Sequence, residues 1–281
     1  MRFGLGREGT FGIELAALLR DPLWRGEGVA PGDGMPVLLV PGFLVGDGSL
    51  RPLYDWLGRI GYAPQVSGIR HNVGCSAALV RRLERRLERM AQEHRSRVAL
   101  VGHSRGGSLA KVLAQRKPHL VAGVVMLGTP QIEPLAVDPV VRGLLFATGA
   151  LGTLGVPGFA SASCLIGSCC REFWRLYGEP IDRRVPLVSV YSRRDGIVDW
   201  RSCLDPSATH VEVATTHMGM VASVPALRVL AATLRDFAAN RRRLERIPRE
   251  GAAREGVRIA SRPRARQHRA RDPRAVAKAP R

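Results

Sequence analysis

Aromatic residues make up only 5% of the 281 residues, and lysine occurs only at Lys111, Lys117 and Lys278. The formal charge of +19 is therefore an arginine excess, which reflects compositional bias as much as a demand for anionic partners. Much of it is terminal: residues 241–281 hold 15 basic and 4 acidic side chains, a net +11. That stretch has no aromatic ring on which bases could stack, so nucleic acid is a poor fit. The five cysteines (Cys75, Cys164, Cys169, Cys170 and Cys203) are odd in number and have neither the density of a disulfide framework nor the spacing of a zinc site. Reduced, buried thiols and no metal are the expectation. The glycines lack the spacing of a dinucleotide fingerprint, no phosphate-cradling loop is present, and no cofactor is expected. Phe11, Leu15, Leu18 and Leu19 fall at helical spacing, but Glu8, Glu14, Arg20 and Asp21 interrupt any apolar run, so Met1 to Gly26 is not read as a signal peptide. A cytoplasmic location is expected.

What is present is 45% hydrophobic and 24% charged residues, the profile of one sizeable core. After a helix at about 10–20, Val37 to Val40 is a short apolar run bounded by proline, as in a strand buried on both faces. A helix over 50–61, a strand over 62–66 and a long helix over 76–95 follow. In the last, Leu79, Leu83, Leu87 and Met90 form an apolar stripe. Strands are predicted at 98–101, 120–127, 185–191 and 210–213, with helices over 105–116 and 221–242. Such alternation predicts an α/β fold with a mostly parallel sheet covered on both faces. Three regions are expected: an N-terminal helical extension (1–35), a main domain (36–246) carrying a cap-like insertion at about 131–184, and an arginine-rich disordered tail (247–281). Gly143 to Cys170 holds no charged residue over 28 positions. Its glycines argue against one continuous membrane-spanning helix and for an apolar excursion over the sheet's end.

Gly102-His103-Ser104-Arg105-Gly106 sits where a buried strand turns into a helix. A serine in such a turn is held in a strained conformation that projects its hydroxyl, and the flanking glycines remove clashes. The hydroxyl needs a base, and the base needs an orienting group. Asp195 follows the strand ending near Tyr191, and His217 follows the one near Val213, so both lie at the sheet edge of Ser104. Asp199 is an alternative acid. His103, in the variable position of the turn, is read as a packing neighbour.

Together the Ser104 turn, the loop Tyr191 to Val198 and the His217 loop resemble the α/β-hydrolase family, and within it small bacterial lipases and esterases. The likeness runs from about Pro36 to Asn240. It implies Ser104 as nucleophile, His217 as general base and then acid, and Asp195 as orienting carboxylate. The nucleophile-elbow arrangement takes its oxyanion donors from the amide after the serine, here Arg105, and from an early loop, here Phe43. Relatives often have His-Gly where this chain has Pro41-Gly42, which leaves Leu44 as a substitute for Phe43. The expected reaction is hydrolysis of a carboxylic ester through an acyl-enzyme, with acyl transfer to another acceptor as the alternative on the same fold. Phe146, Leu151, Leu154, Phe159, Leu165 and Ile166 are expected to line an acyl pocket for a lipid-like ester. The tail is expected to touch anionic membrane peripherally, and a non-catalytic protein binding anionic lipid or nucleic acid through it is the rival reading.

Overall fold

Runs of branched apolar residues build the centre of the molecule. In the computed structural model, which describes residues 4–165 and 168–245, β1 (Pro36–Val40), β2 (Ala63–Val66), β3 (Val98–His103), β4 (Val121–Leu127), β5 (Leu187–Tyr191) and β6 (Thr209–Glu212) form one sheet in the order β2-β1-β3-β4-β5-β6. Every pairing is parallel. In chain order the helices are α1 (Leu5–Glu8), α2 (Phe11–Arg20), α3 (Arg51–Arg59), α4 (Ser76–Glu93), α5 (Arg105–Arg116), α6 (Pro139–Thr153), α7 (Ala162–Leu165), α8 (Arg171–Gly178) and α9 (Val224–Glu245). Parallel neighbours need crossovers, which α3 to α8 supply up to β5, while a 3-10 turn at Trp200–Cys203 lies between β5 and β6.

Strand side chains alternate between faces, so each central strand feeds two cores. Val37 and Leu39 of β1 join Ala99 and Val101 of β3 beneath α2, α3 and α9, where Leu18, Trp56 and Leu234 are fully buried. Leu38 and Val40 join Val98 and Leu100 beneath α4, α5 and α8. Arg81, Arg82, Arg85 and Arg89 of α4 are solvent-exposed, opposite its apolar stripe.

The segment between β4 and β5 carries α6, α7 and α8. Glycines 143, 149 and 152 are accommodated in helix α6, which stops at Thr153, so the uncharged stretch is not one continuous helix, as its glycines predict. Gly152 is there for close approach: a Cβ would collide with the Ala160 carbonyl, which crosses the helix. Among the described residues no helix is long and apolar enough to cross a membrane. The predicted tail, 247–281, lies outside the described residues.

Candidate active site

The carboxyl ends of parallel strands collect the loops that carry polar chemistry. β3 ends at His103, and Ser104 follows with φ 51° and ψ −125°, a conformation that L side chains rarely adopt. The turn is tight enough that a Cβ on Gly106 would strike the Val40 carbonyl oxygen. Ser104 N donates to Leu127 O (2.8 Å), and Thr129 Oγ1 donates to Ser104 O (2.9 Å), which fixes the elbow from β4.

Beyond β5, Asp195 is buried and accepts from three sides. Its Oδ1 takes the amides of Ile197 (2.8 Å) and Val198 (2.7 Å), and its Oδ2 takes His217 Nδ1 (2.7 Å). That bond leaves His217 Nε2 as the basic nitrogen. Asp199 instead caps the turn that follows it, accepting from Arg201 N (3.1 Å), and does not touch the imidazole. The His217 ring packs on Gly128, where an added Cβ would lie 3.0 Å from Nδ1. Among the described residues neither Ser104 Oγ nor His217 Nε2 has a hydrogen-bond partner. The structure therefore brings Asp195 and His217 into contact and sets them against the Ser104 elbow, with the serine–imidazole link unmade.

Burial pulls the His217 pKa down, but the Asp195 charge and hydrogen bond, with a further contribution from Glu8, outweigh it, so the net shift is upward from 6.5. His103 behaves oppositely. It is completely enclosed, and burial, followed by repulsion from His217, pushes it down to about 3. It is thus neutral, and its Nε2 donates to the His217 carbonyl (3.1 Å), a support for the imidazole loop and not a base.

Arg105 opens α5, so helix geometry leaves its amide without an intrahelical acceptor. The Phe43 amide likewise has no acceptor among the described residues, and Phe43 borders the cavity beside Ser104. Leu44, at φ 65° and exposed, faces a separate groove. The Arg105 side chain braces this corner. It donates to Asn72 O (2.7 Å), Asn72 Oδ1 (3.0 Å), Gly74 O (2.6 Å) and Ser76 Oγ (3.0 Å), while Asn72 Nδ2 holds Pro41 O (2.7 Å).

The cavity at Ser104 measures about 460 Å³, and its walls are mainly apolar. Val137, Val141, Leu145, Phe146, Phe173 and Trp174 come from the segment between β4 and β5. Of the predicted pocket residues only Phe146 is among them. Leu151 and Leu154 face solvent, because α6 presents its other side to the cavity, and Phe159 borders the separate groove. Leu165 and Ile166 lie outside the residues whose side chains are described.

Two carboxylates that hold the Asp195 and His217 loops escape sequence reasoning. Glu8 takes the amides of Gly196, His217 and Met218, each at 3.0 Å. Glu14 takes Thr215 Oγ1 (2.9 Å), Thr216 N (2.9 Å) and Thr216 Oγ1 (2.5 Å). The two N-terminal helices thereby clamp both the acid and the histidine loops. In the sequence these carboxylates read only as interruptions of an apolar stripe. The expectation of buried thiols fits Cys164, Cys170 and Cys203, but Cys75 is half-buried and Cys169 exposed, and four of the five converge at one point.

Residues 61–149 match the family model described as the alpha/beta hydrolase fold. A solved lipase from Bacillus licheniformis, in its mature form, is 16% identical with a TM-score of 0.55, covering 74% of this chain and 94% of that one. A soluble variant of monoglyceride lipase from Saccharomyces cerevisiae is 14% identical with a TM-score of 0.54, covering 77% and 89%. A monoacylglycerol lipase from Paleococcus ferrophilus is 16% identical with a TM-score of 0.50, covering 74% and 96%. At these identities the likeness is one of fold. No curated protein matches the sequence.

Proposed function

We propose that this chain, which has the α/β-hydrolase fold, is a serine hydrolase that cleaves carboxylic esters of lipid-like acyl groups. The observation that carries the proposal is the Asp195–His217 hydrogen bond at the same sheet edge as a serine held at positive φ. In this reading His217 Nε2 removes the Ser104 proton as Oγ attacks the ester carbonyl. The tetrahedral oxyanion is met by the Phe43 and Arg105 amides. His217 then protonates the departing alcohol, and water, activated by the same imidazole, releases the acid from the acyl-enzyme. Asp195 fixes the tautomer and compensates the imidazolium. The apolar walls above Ser104 favour an aliphatic acyl chain.

The test is fluorophosphonate labelling of the full chain followed by peptide mapping. Modification at Ser104, lost in Ser104→Ala together with esterase activity, is the expected result. Esterase activity in Ser104→Ala above that of a His217→Ala control would overturn the mechanism.

A further inference from the structure

Cys75 precedes α4 on the body of the fold, whereas Cys164, Cys169 and Cys170 belong to the segment between β4 and β5, yet all four sulfurs lie within 4.8 Å of one another. Cys75 is 3.4 Å from Cys169 and 3.5 Å from Cys170, and Cys164 is 3.6 Å from Cys169. A disulfide requires about 2.05 Å between sulfurs. Four sulfurs bound at about 2.3 Å to one central ion stand about 3.8 Å apart, at the corners of a tetrahedron. The three shortest separations, 3.4, 3.5 and 3.6 Å, fall near that edge length, and the others do not exceed 4.8 Å.

We propose that Cys75, Cys164, Cys169 and Cys170 bind a single zinc ion that fastens the segment carrying α7 and α8 to the body. An all-sulfur tetrahedral donor set selects zinc or iron–sulfur chemistry, and a multi-iron cluster would spread its cysteine sulfurs wider than these. The surroundings suit thiolates. Cys75 is the N-cap of α4, so the first-turn amides of that helix, which have no intrahelical acceptor, lie next to its sulfur. Four thiolates around a dication leave two negative charges, and the Arg105 guanidinium lies beside them, bonded to Gly74 O and Ser76 Oγ on either side of Cys75. Binding breaks S–H bonds and forms S–Zn bonds, with the protons released to solvent and no change in oxidation state. Cys203 is buried elsewhere and takes no part.

The consequence concerns the cavity wall. α8 begins directly after Cys170 and supplies Phe173, Trp174 and Tyr177 to the cavity above Ser104. An ion at the cysteines would hold that wall in place from outside the catalytic row.

The experiment is elemental analysis of the tag-free full chain, purified under reducing conditions without added metal, then with stoichiometric zinc. About one zinc per chain is expected, retained in Cys203→Ser and lost in Cys75→Ser and Cys169→Ser. Because those variants could fail to fold, the wild-type chain is also stripped and reloaded with cobalt, which should give the absorption of a tetrahedral thiolate site. A reduced, folded chain that takes up neither metal would overturn the proposal, as would zinc retained in the Cys75→Ser, Cys169→Ser double variant. Intact masses showing disulfides among these cysteines in the chain purified from the cell would also overturn it. The outcome is separate from the serine-hydrolase reading, which labelling at Ser104 decides alone.

Discussion

In the proposed mechanism His217 must be neutral to act as base, which ties activity to its titration. His217 is shifted upward from 6.5, so kcat for a soluble ester should rise with pH along a limb centred above about 6.5. Asp195→Asn removes the charge that holds the correct tautomer, and kcat should fall about 10⁴-fold. Glu8 also raises the His217 pKa while gripping three amides around it, so Glu8→Gln makes two separate predictions. The acidic limb should move to lower pH, and kcat should fall by up to about 10²-fold through misplacement of the imidazole, with KM little changed. A role limited to fold stability would leave the limb where it is. The same shift acts on stability. A histidine with a raised folded-state value contributes stability that is complete below its unfolded value and is lost as pH rises through the folded one. Urea midpoints of wild type minus those of His217→Ala, measured across that range, should shrink toward alkaline pH.

Among the elements, α5 does two jobs: it starts at the Ser104 turn and buries a cation further along. Lys111 Nζ donates to Asp205 Oδ2 (2.6 Å) and to Tyr177 O (2.9 Å), with the two charged side chains only 4% and 7% exposed. Lys111→Met would leave the Asp205 carboxylate enclosed without its cation and should cost about 3–5 kcal/mol in urea unfolding, with partial recovery on adding Asp205→Asn. Sequence pattern located most elements because each has a local cause. The apolar runs at 37–40, 98–101 and 121–127 can be buried only as central strands, and the Leu79 to Met90 stripe only as a one-sided helix. The elbow is legible because Gly102 and Gly106 bracket Ser104 two positions away on either side, between an apolar run and a helical stretch. Helix α6 is not foreseen, because the glycine content of 143–158 argues only against one long helix and says nothing of the chain at Ala160 that crosses at Gly152. Glu8 and Glu14 were missed because their partners lie about 190–210 residues away, where no periodicity reaches. The cysteine cluster was missed similarly, since Cys75 and Cys169 are 94 residues apart.

For the whole molecule, the sheet supplies a rigid edge and the segment between β4 and β5 supplies the apolar walls of the cavity. Its apolar walls should favour longer over two-carbon acyl p-nitrophenyl esters, read as kcat/KM across a chain-length series. Equal rates along the series would reduce the insertion to a cover for the core. Phe146, Val140 and Leu154 of this segment are 54%, 59% and 81% exposed, an apolar surface next to the cavity.

The clamp formed by Glu8 and Glu14 sets a sequence of events during synthesis. Helices α1 and α2 are translated roughly 200 residues ahead of Thr215, Thr216 and His217, so they must wait for the ribosome to finish nearly the entire sheet. Contacts so remote along the chain close late. The nascent polypeptide would then display a formed elbow without its base, and competence would arrive only when the opposite ends of the fold meet.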